Sequence, residues 1–371
     1  MPKKSSWGTT IRTIVFSILI GGASGVLATA LTTSYLSDYA MELGELTSPL
    51  RLSQERPQVF PETYEDAVAN VRDRVFPATT RLYPSTPASS IGGYTHSEVV
   101  AQGAVLTSDG WVMFMPSGDT VISEAMRVGV GSETYAIERL AEDPVTGAVF
   151  VKSEAGDLPV LAFAENVDLS PGDQLFAFPA HNAIHETALQ RIDLQNGEVV
   201  SADSPRRRLI LDSAQQPPGG TVVTNVGGEL IGVVTQENDG RPRVLPLDTI
   251  LPSFRSLLRD GSITRPWIGL DVVNLRGYVG ADNERYDLET GALIPNAASI
   301  EPDSPAEVAG LRAGDVILEV DDRPLNGAFT LDELLVGYEP GDSVTLTVVR
   351  DEEELEVSVK LAQHPDLNLA P

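Results

Sequence analysis

Residues 209–235 read LILDSAQQPPGGTVVTNVGGELIGVVT, and the fold turns on how this stretch is parsed. Leu209 to Ala214 is apolar and runs into a polar turn. Pro217, Pro218, Gly219 and Gly220 then break the chain sharply. Two β-rich runs follow, on either side of Gly227-Gly228, which is a hairpin signal. The order is strand, tight turn, strand, turn, strand.

The rest of the composition suits such a chain. Its 371 residues predict two to three domains. A hydrophobic content of 42% is enough for real cores, and 32 Gly with 26 Pro fit a turn-rich β protein. The net charge of -27 leaves no basic stripe to neutralise phosphates, so nucleic acid is excluded as a sequence-independent partner. The plain reading of the acidity is solubility. With no cysteine, disulfides, thiolate chemistry and Cys-based zinc sites are excluded. Histidine occurs only at 96, 181, 185 and 364.

Residues 1–12 carry Lys3, Lys4 and Arg12, and Thr13 to Leu36 holds no charge. That run is long enough to span a bilayer, which takes about 20 apolar helical residues. Basic residues before it, and Asp38, Glu42 and Glu45 after it, predict a cytoplasmic N-terminus with the bulk of the chain outside. Ala28-Thr29-Ala30 also fits a signal-peptide cleavage site, so a cleaved leader is the rival to an uncleaved anchor. Gly21 and Gly25 form a GxxxG pair, a weak signal for helix pairing. Residues 37–62, with three prolines, read as a linker.

Beyond Tyr64 the local motifs accumulate. Ala67, Val68, Val71 and Val75 lie at helical spacing, and Phe76 to Tyr83 reads as a first strand. Val99 to Val112 reads as two strands around Ser108-Asp109-Gly110, a type I′-like hairpin signal. Ile250, Leu251, Phe254, Leu257 and Leu258 form the apolar face of a helix that Gly261 stops, and Gly261 to Arg265 reads as a short hinge. Residues 187–215 read as further strands, interrupted by a turn at Asp203 to Arg208 whose three arginines are taken as solvated. Ser304-Pro-Ala and Thr330-Leu-Asp-Glu are helix starts, and the tail after Gln363 reads as disordered.

Taken together these motifs resemble the trypsin-like serine proteases of the HtrA (Deg) family with a C-terminal PDZ domain. Gly219-Gly220 match the glycine pair after the family's nucleophilic serine, and Gly228-Glu229-Leu230-Ile231-Gly232-Val233 match its return strand. Val99 to Val112, Leu140 to Lys152 and the run Ser304 to Leu325 resemble other scaffold segments. The resemblance puts the general base at Ser117, the orienting acid at Gly147 and the nucleophile at Pro218. A serine hydroxyl is no base near neutral pH. Proline supplies neither a hydroxyl nor the N–H that forms half of the usual oxyanion hole. His181 and His185 lie four apart beside Glu186, but lack the His-Glu-x-x-His order and read as an exposed loop rather than a metal site.

The fold class expected is therefore mainly β: a trypsin-like double β-barrel (63–260) and a PDZ domain (262–363), preceded by one transmembrane helix (13–36) and followed by a tail (364–371). The resemblance implies a peptide groove in which Trp267-Ile268-Gly269-Leu270 holds a terminal carboxylate and Leu331 and Leu335 form the facing wall. The expected function is that of a membrane-anchored, extracytoplasmic pseudoprotease, with no catalytic residues, metal or cofactor. It would bind protein C-termini or unfolded segments as adaptor, chaperone-like holder or regulatory subunit. By resemblance it would form trimers or join active relatives. The alternatives are a working endopeptidase with a differently placed triad, for which Ser213 is the nearest serine, and a purely structural envelope subunit.

Overall fold

The computed structural model describes residues 64–88, 92–116, 120–164, 169–179, 183–194, 199–212, 217–235, 243–276, 290–326 and 329–368. The expected anchor, the linker, Ser117, His181 and Ser213 lie outside them. Among the described residues no helix is long and apolar enough to cross a membrane.

The first helix, α1 (Tyr64–Val75), carries Glu65 and Asp66 in its first turn and Arg72 and Arg74 in its last, complementing its dipole. Val71 and Val75 face inward, onto Phe176, Phe178 and Leu230. Two closed, antiparallel barrels follow. The first joins β1 (Thr79–Tyr83), β2 (Ala101–Val105), β3 (Trp111–Phe114), β4 (Arg127–Val130), β5 (Glu133–Glu142) and β6 (Val149–Ser153). The second joins β7 (Gln174–Phe178), β8 (His185–Asp193), β10 (Arg208–Leu211), β11 (Val222–Asn225), β12 (Leu230–Thr235) and β13 (Arg243–Pro246). Closure leaves no free strand edge in either barrel. The β2–β3 connection, Leu106 to Gly110, is longer than a two-residue type I′ turn and is closed by the Leu106 N–H on Trp111 O at 2.8 Å. His185 opens β8 and is half-buried, so it belongs to a barrel strand rather than an exposed loop.

Helix α2 (Leu247–Asp260) ends where Gly261 takes a left-handed conformation. Its apolar face closes the seam between the barrels, where Phe254 stacks on Phe150 and meets Trp111 edge-on. The glycine pair of the decisive stretch serves the same seam. Gly220 has φ +79, and a Cβ on it would lie 2.1 Å from the Gln102 carbonyl oxygen of β2. Only glycine lets the second barrel approach the first so closely.

The third body is a sheet ordered β20-β19-β17-β16-β15, built from β15 (Asp271–Asn274), β16 (Ala292–Leu293), β17 (Val316–Val320), β19 (Ser343–Arg350) and β20 (Glu353–Lys360). The short β18 (Arg323–Pro324) folds back on β17. Two short helices cover it: α3 (Pro305–Val308), capped by the Ser304 hydroxyl, and α4 (Leu331–Leu335), opened by a Thr330–Glu333 capping box. The chain from Pro266 to Asn274 is not one continuous strand: it turns at Gly269, and β14 (Pro266–Trp267) pairs with β21 (Ala362–Gln363).

Two expectations fail here. Gly261 to Arg265 is not a hinge. Arg265 is 2% exposed and Asp143 is fully buried, and the guanidinium Nη2 donates to Asp143 Oδ2 at 2.7 Å and to the Thr249 carbonyl at 2.8 Å. Ser253 Oγ donates to the same carboxylate at 2.9 Å. The chain after Gln363 is ordered through Asn368: His364 is buried, its N–H donates to Arg265 O at 3.0 Å, and Leu367 packs beside the α2 cluster. In both cases long-range pairing overrides a locally polar, loop-like sequence.

Removing one partner of a buried, hydrogen-bonded ion pair typically costs about 3–5 kcal/mol. Arg265→Ala is therefore expected to lower the urea midpoint by that much stability, and an unchanged midpoint would show the pair to be dispensable. Gly220→Ala, which combines a left-handed backbone with a backbone clash, is expected to cost more than about 1 kcal/mol in the same measurement.

Candidate functional site

Two of the three expected triad positions are described. Gly147 closes the turn between β5 and β6, its N–H donating to Asp143 O at 2.8 Å. Asp143 itself has both carboxylate oxygens engaged, by the Val145 N–H (3.1 Å), Thr146 Oγ (2.6 Å), Ser253 and Arg265, so it acts as a structural anchor. Pro218 is exposed, and its carbonyl accepts from the Thr221 N–H (3.2 Å) and hydroxyl (2.7 Å). At these two positions no side chain offers a nucleophile or an acid.

The groove residues lie together. Ile268, Leu270, Leu331 and Leu335 are all buried in one apolar cluster. Gly269 makes the turn between them with φ +72, and a Cβ there would lie 2.3 Å from Ser304 Cβ and 2.9 Å from the Trp267 ring. The loop's carbonyls are bound on its inner side: Ile268 O accepts from the Ala306 N–H (3.0 Å) and Gly269 O from the Glu301 N–H (3.0 Å). Its N–H groups are thereby left pointing outward as a small anion nest.

The nest is occupied by the chain itself. The Ile268 N–H donates to Asp203 Oδ1 at 2.6 Å, and the Gly269 N–H to Asp203 Oδ2 at 2.9 Å. Asp203 as a residue is half-buried, but its carboxyl end is enclosed. Burial pushes it up to about 7, against the pull of the backbone N–H groups of Ile268, Gly269 and Leu270, with Glu301 adding repulsion. Upstream, β9 (Val199–Ser201) is not a barrel strand. It adds to β15 antiparallel, pairing Ser201 with Asp271, Val200 with Val272 and Val199 with Val273. The Ala202 N–H continues the ladder to Leu270 O at 2.8 Å. By the alternation of a strand, Val200 and Ala202 point inward and join the cluster of Ile268, Leu270, Leu331 and Leu335.

Downstream, the three arginines are not a solvated turn. The Arg206 N–H donates to Asp332 Oδ2 at 2.9 Å, and the Arg207 guanidinium lies 3.1 Å from the Glu333 carboxylate, both on α4. Burial pushes the Asp332 and Glu333 carboxyls upward, with the nearby arginines opposing. A cavity of about 10 Å³ lies between Asp203, Pro205, Arg265 and Leu335, room for about one water. Asp203 and β9 are the residues that sequence reasoning missed. The signal was the β-rich run Val199 to Ala202 ending in an acid, which imitates a chain terminus.

Residues 266–361 match the family model of the PDZ domain. Over 289 residues the chain is 28% identical to a protein of Halomonas elongata named probable periplasmic serine endoprotease DegP-like, covering 74% of this chain and 59% of that protein. A protein of the same name from Ectopseudomonas mendocina is 25% identical over 297 residues, 77% of this chain and 61% of that one. The chain thus spans less than two thirds of the length of these relatives. Among solved structures, the HtrA-type protease AlgW with tripeptide matches with a TM-score of 0.60 at 19% identity, over 80% of this chain and 97% of that one. The same protease with decapeptide matches with a TM-score of 0.57 at 19% identity, over 80% and 98%. At such identity the likeness to these structures is one of fold. In fold the chain is similar to these HtrA-type proteases: two closed six-stranded barrels, followed by a domain that matches the PDZ model.

Proposed function

We propose that this protein is an HtrA-like pseudoprotease of the cell envelope, anchored by residues 13–36, that works by binding peptide C-termini in its PDZ groove. The observation that carries the reading is Pro218 at the expected nucleophile position, next to Pro217. A Pro-Pro pair has no hydroxyl to attack a carbonyl and no N–H to steady the resulting oxyanion. Glycine at 147 removes the acid that would orient a base, and serine at 117 removes the base. The scaffold glycines that do persist have a packing reason to do so, as Gly220 does at the barrel seam.

The groove retains what peptide capture needs: outward N–H groups at Ile268 and Gly269, and apolar walls from Leu270, Leu331 and Leu335. Trp267 flanks the loop and packs against Gly269. Such a protein would act as an adaptor, a chaperone-like holder or a subunit tuning active relatives, alone as a homo-oligomer or with them. The likeness to periplasmic relatives supports an envelope location.

Two outcomes are expected of the purified full chain. Casein and short peptides are not turned over even at high protein concentration, and a fluorophosphonate probe does not label it; turnover that is lost in Ser213→Ala would replace this reading with an active endopeptidase. Labelled peptides with a free carboxylate bind at least about 10-fold more tightly than their amidated forms, since a charge-assisted hydrogen bond is worth about twice a neutral one. Binding indifferent to amidation would remove the carboxylate-loop assignment.

A further inference from the structure

We infer that residues 199–203 are a built-in ligand of the PDZ groove, in which the Asp203 side chain takes the place of a peptide's terminal carboxylate and Val200 and Ala202 fill the apolar subsites. The inference rests on the peptide-binding reading above and goes further, by stating what fills the groove and what chemistry an external ligand must bring to replace it.

Four features of the segment match those of a bound chain end. Its direction is antiparallel to β15 and runs toward the nest. Its last ladder bond, from the Ala202 N–H to Leu270 O, directly precedes the carboxylate. Each Asp203 oxygen takes one N–H, the two-point contact that a free α-carboxylate would make. Its inward side chains alternate, Val200 and Ala202, as strand addition requires. The following residues are tied to α4 through Arg206 and Arg207, so the segment is held at both ends of the groove.

A tethered ligand competes at an effective concentration of about millimolar for short connections. The segment leaves β8 at Asp193 and returns to β10 at Arg208, so its tethers are short. An external peptide must outcompete it, and its apparent affinity is reduced by the fraction of chains in which the groove is free. The hold is also imperfect: burial raises the Asp203 pKa, so the charged form is less well accommodated docked than in water. The ligand class follows from the template: a free C-terminus ending in a small aliphatic residue, with a β-branched residue two positions before it.

The test uses the full chain and a labelled peptide of sequence GEVVSA, residues 197–202 with a free carboxylate. Two variants remove the dock. Asp203→Ala deletes the carboxylate. Asp203→Asn keeps the volume but sets an NH₂ against one of the two N–H groups, and serves if the alanine variant fails to fold. Peptide affinity is read by fluorescence anisotropy, and exchange of the Ile268 and Gly269 amide protons by hydrogen–deuterium exchange. The expected result is peptide binding about 10-fold or more tighter in either variant than in the unaltered chain. Exchange at the two amides should accelerate by a similar factor. Equal peptide affinity in variant and unaltered chain would overturn the built-in ligand and leave the groove reading intact. Faster exchange with no peptide bound by any chain would sustain the docked segment and sink the peptide reading. Unchanged exchange with no binding would remove both.

Discussion

The buried pair of Arg265 and Asp143 fixes everything downstream of it. Asp143 ends the β5 side of a turn in the first barrel, Ser253 and Thr249 belong to α2, and Arg265 immediately precedes the PDZ sheet. One guanidinium therefore ties three elements in a volume closed to water. Two charges in such a place are tolerated because both are hydrogen-bonded as well as paired: the guanidinium through Nε and Nη2, the carboxylate also by Ser253 and Thr146. The Arg265 carbonyl holds His364, so the end of the ordered chain is drawn to the same point. Further ties join the end of α2 to both neighbours: Arg139 donates to the Gly261 carbonyl and Arg259 pairs with Glu339. The consequence is positional. Trp267 to Leu270 follows Arg265 after Pro266, and among the described residues the nest meets Asp203.

Once that placement is set, the groove obeys ordinary backbone accounting. The loop's carbonyls are consumed by Glu301 and Ala306, and its N–H groups need acceptors. An unpaired N–H in a buried place is costly, and a carboxylate satisfies two at once. Gly269 is what makes the geometry possible, because a side chain would strike Ser304. The peptide capture and the self-docking proposed above would draw on the same groups, so strengthening one would weaken the other.

How much of this was legible from residues alone depends on the range of the interaction. Helix ends were legible because they are written locally: Ser304 before Pro305, Thr330 three before Glu333, Gly261 after Asp260. Individual strands were legible through alternation and turn glycines, but their assembly into two barrels and a sheet came from the resemblance. The loop Trp267 to Leu270 was legible through its resemblance alone. Arg265, His364 and Arg206 were misread because each sits in a polar, loop-like stretch whose partner is far away in sequence: Asp143 for Arg265, Asp332 for Arg206. Asp203 escaped for the same reason. A short β-rich run ahead of an acid looks like one more barrel strand until the sheet it joins is known.

The added strand β9 also has a bearing on solubility. A five-stranded open sheet has two borders. On the far one, β20 carries Glu353, Glu354, Glu356 and Lys360 outward, and such charges discourage a neighbouring molecule from extending the ladder. On the near one, β15 offers apolar Val272 and Val273 between Asp271 and Asn274, fewer charges than β20 carries. Its protection is a borrowed strand from another part of the chain. A PDZ fragment cut free of the barrels would lose that cover and leave the β15 border open to strand addition.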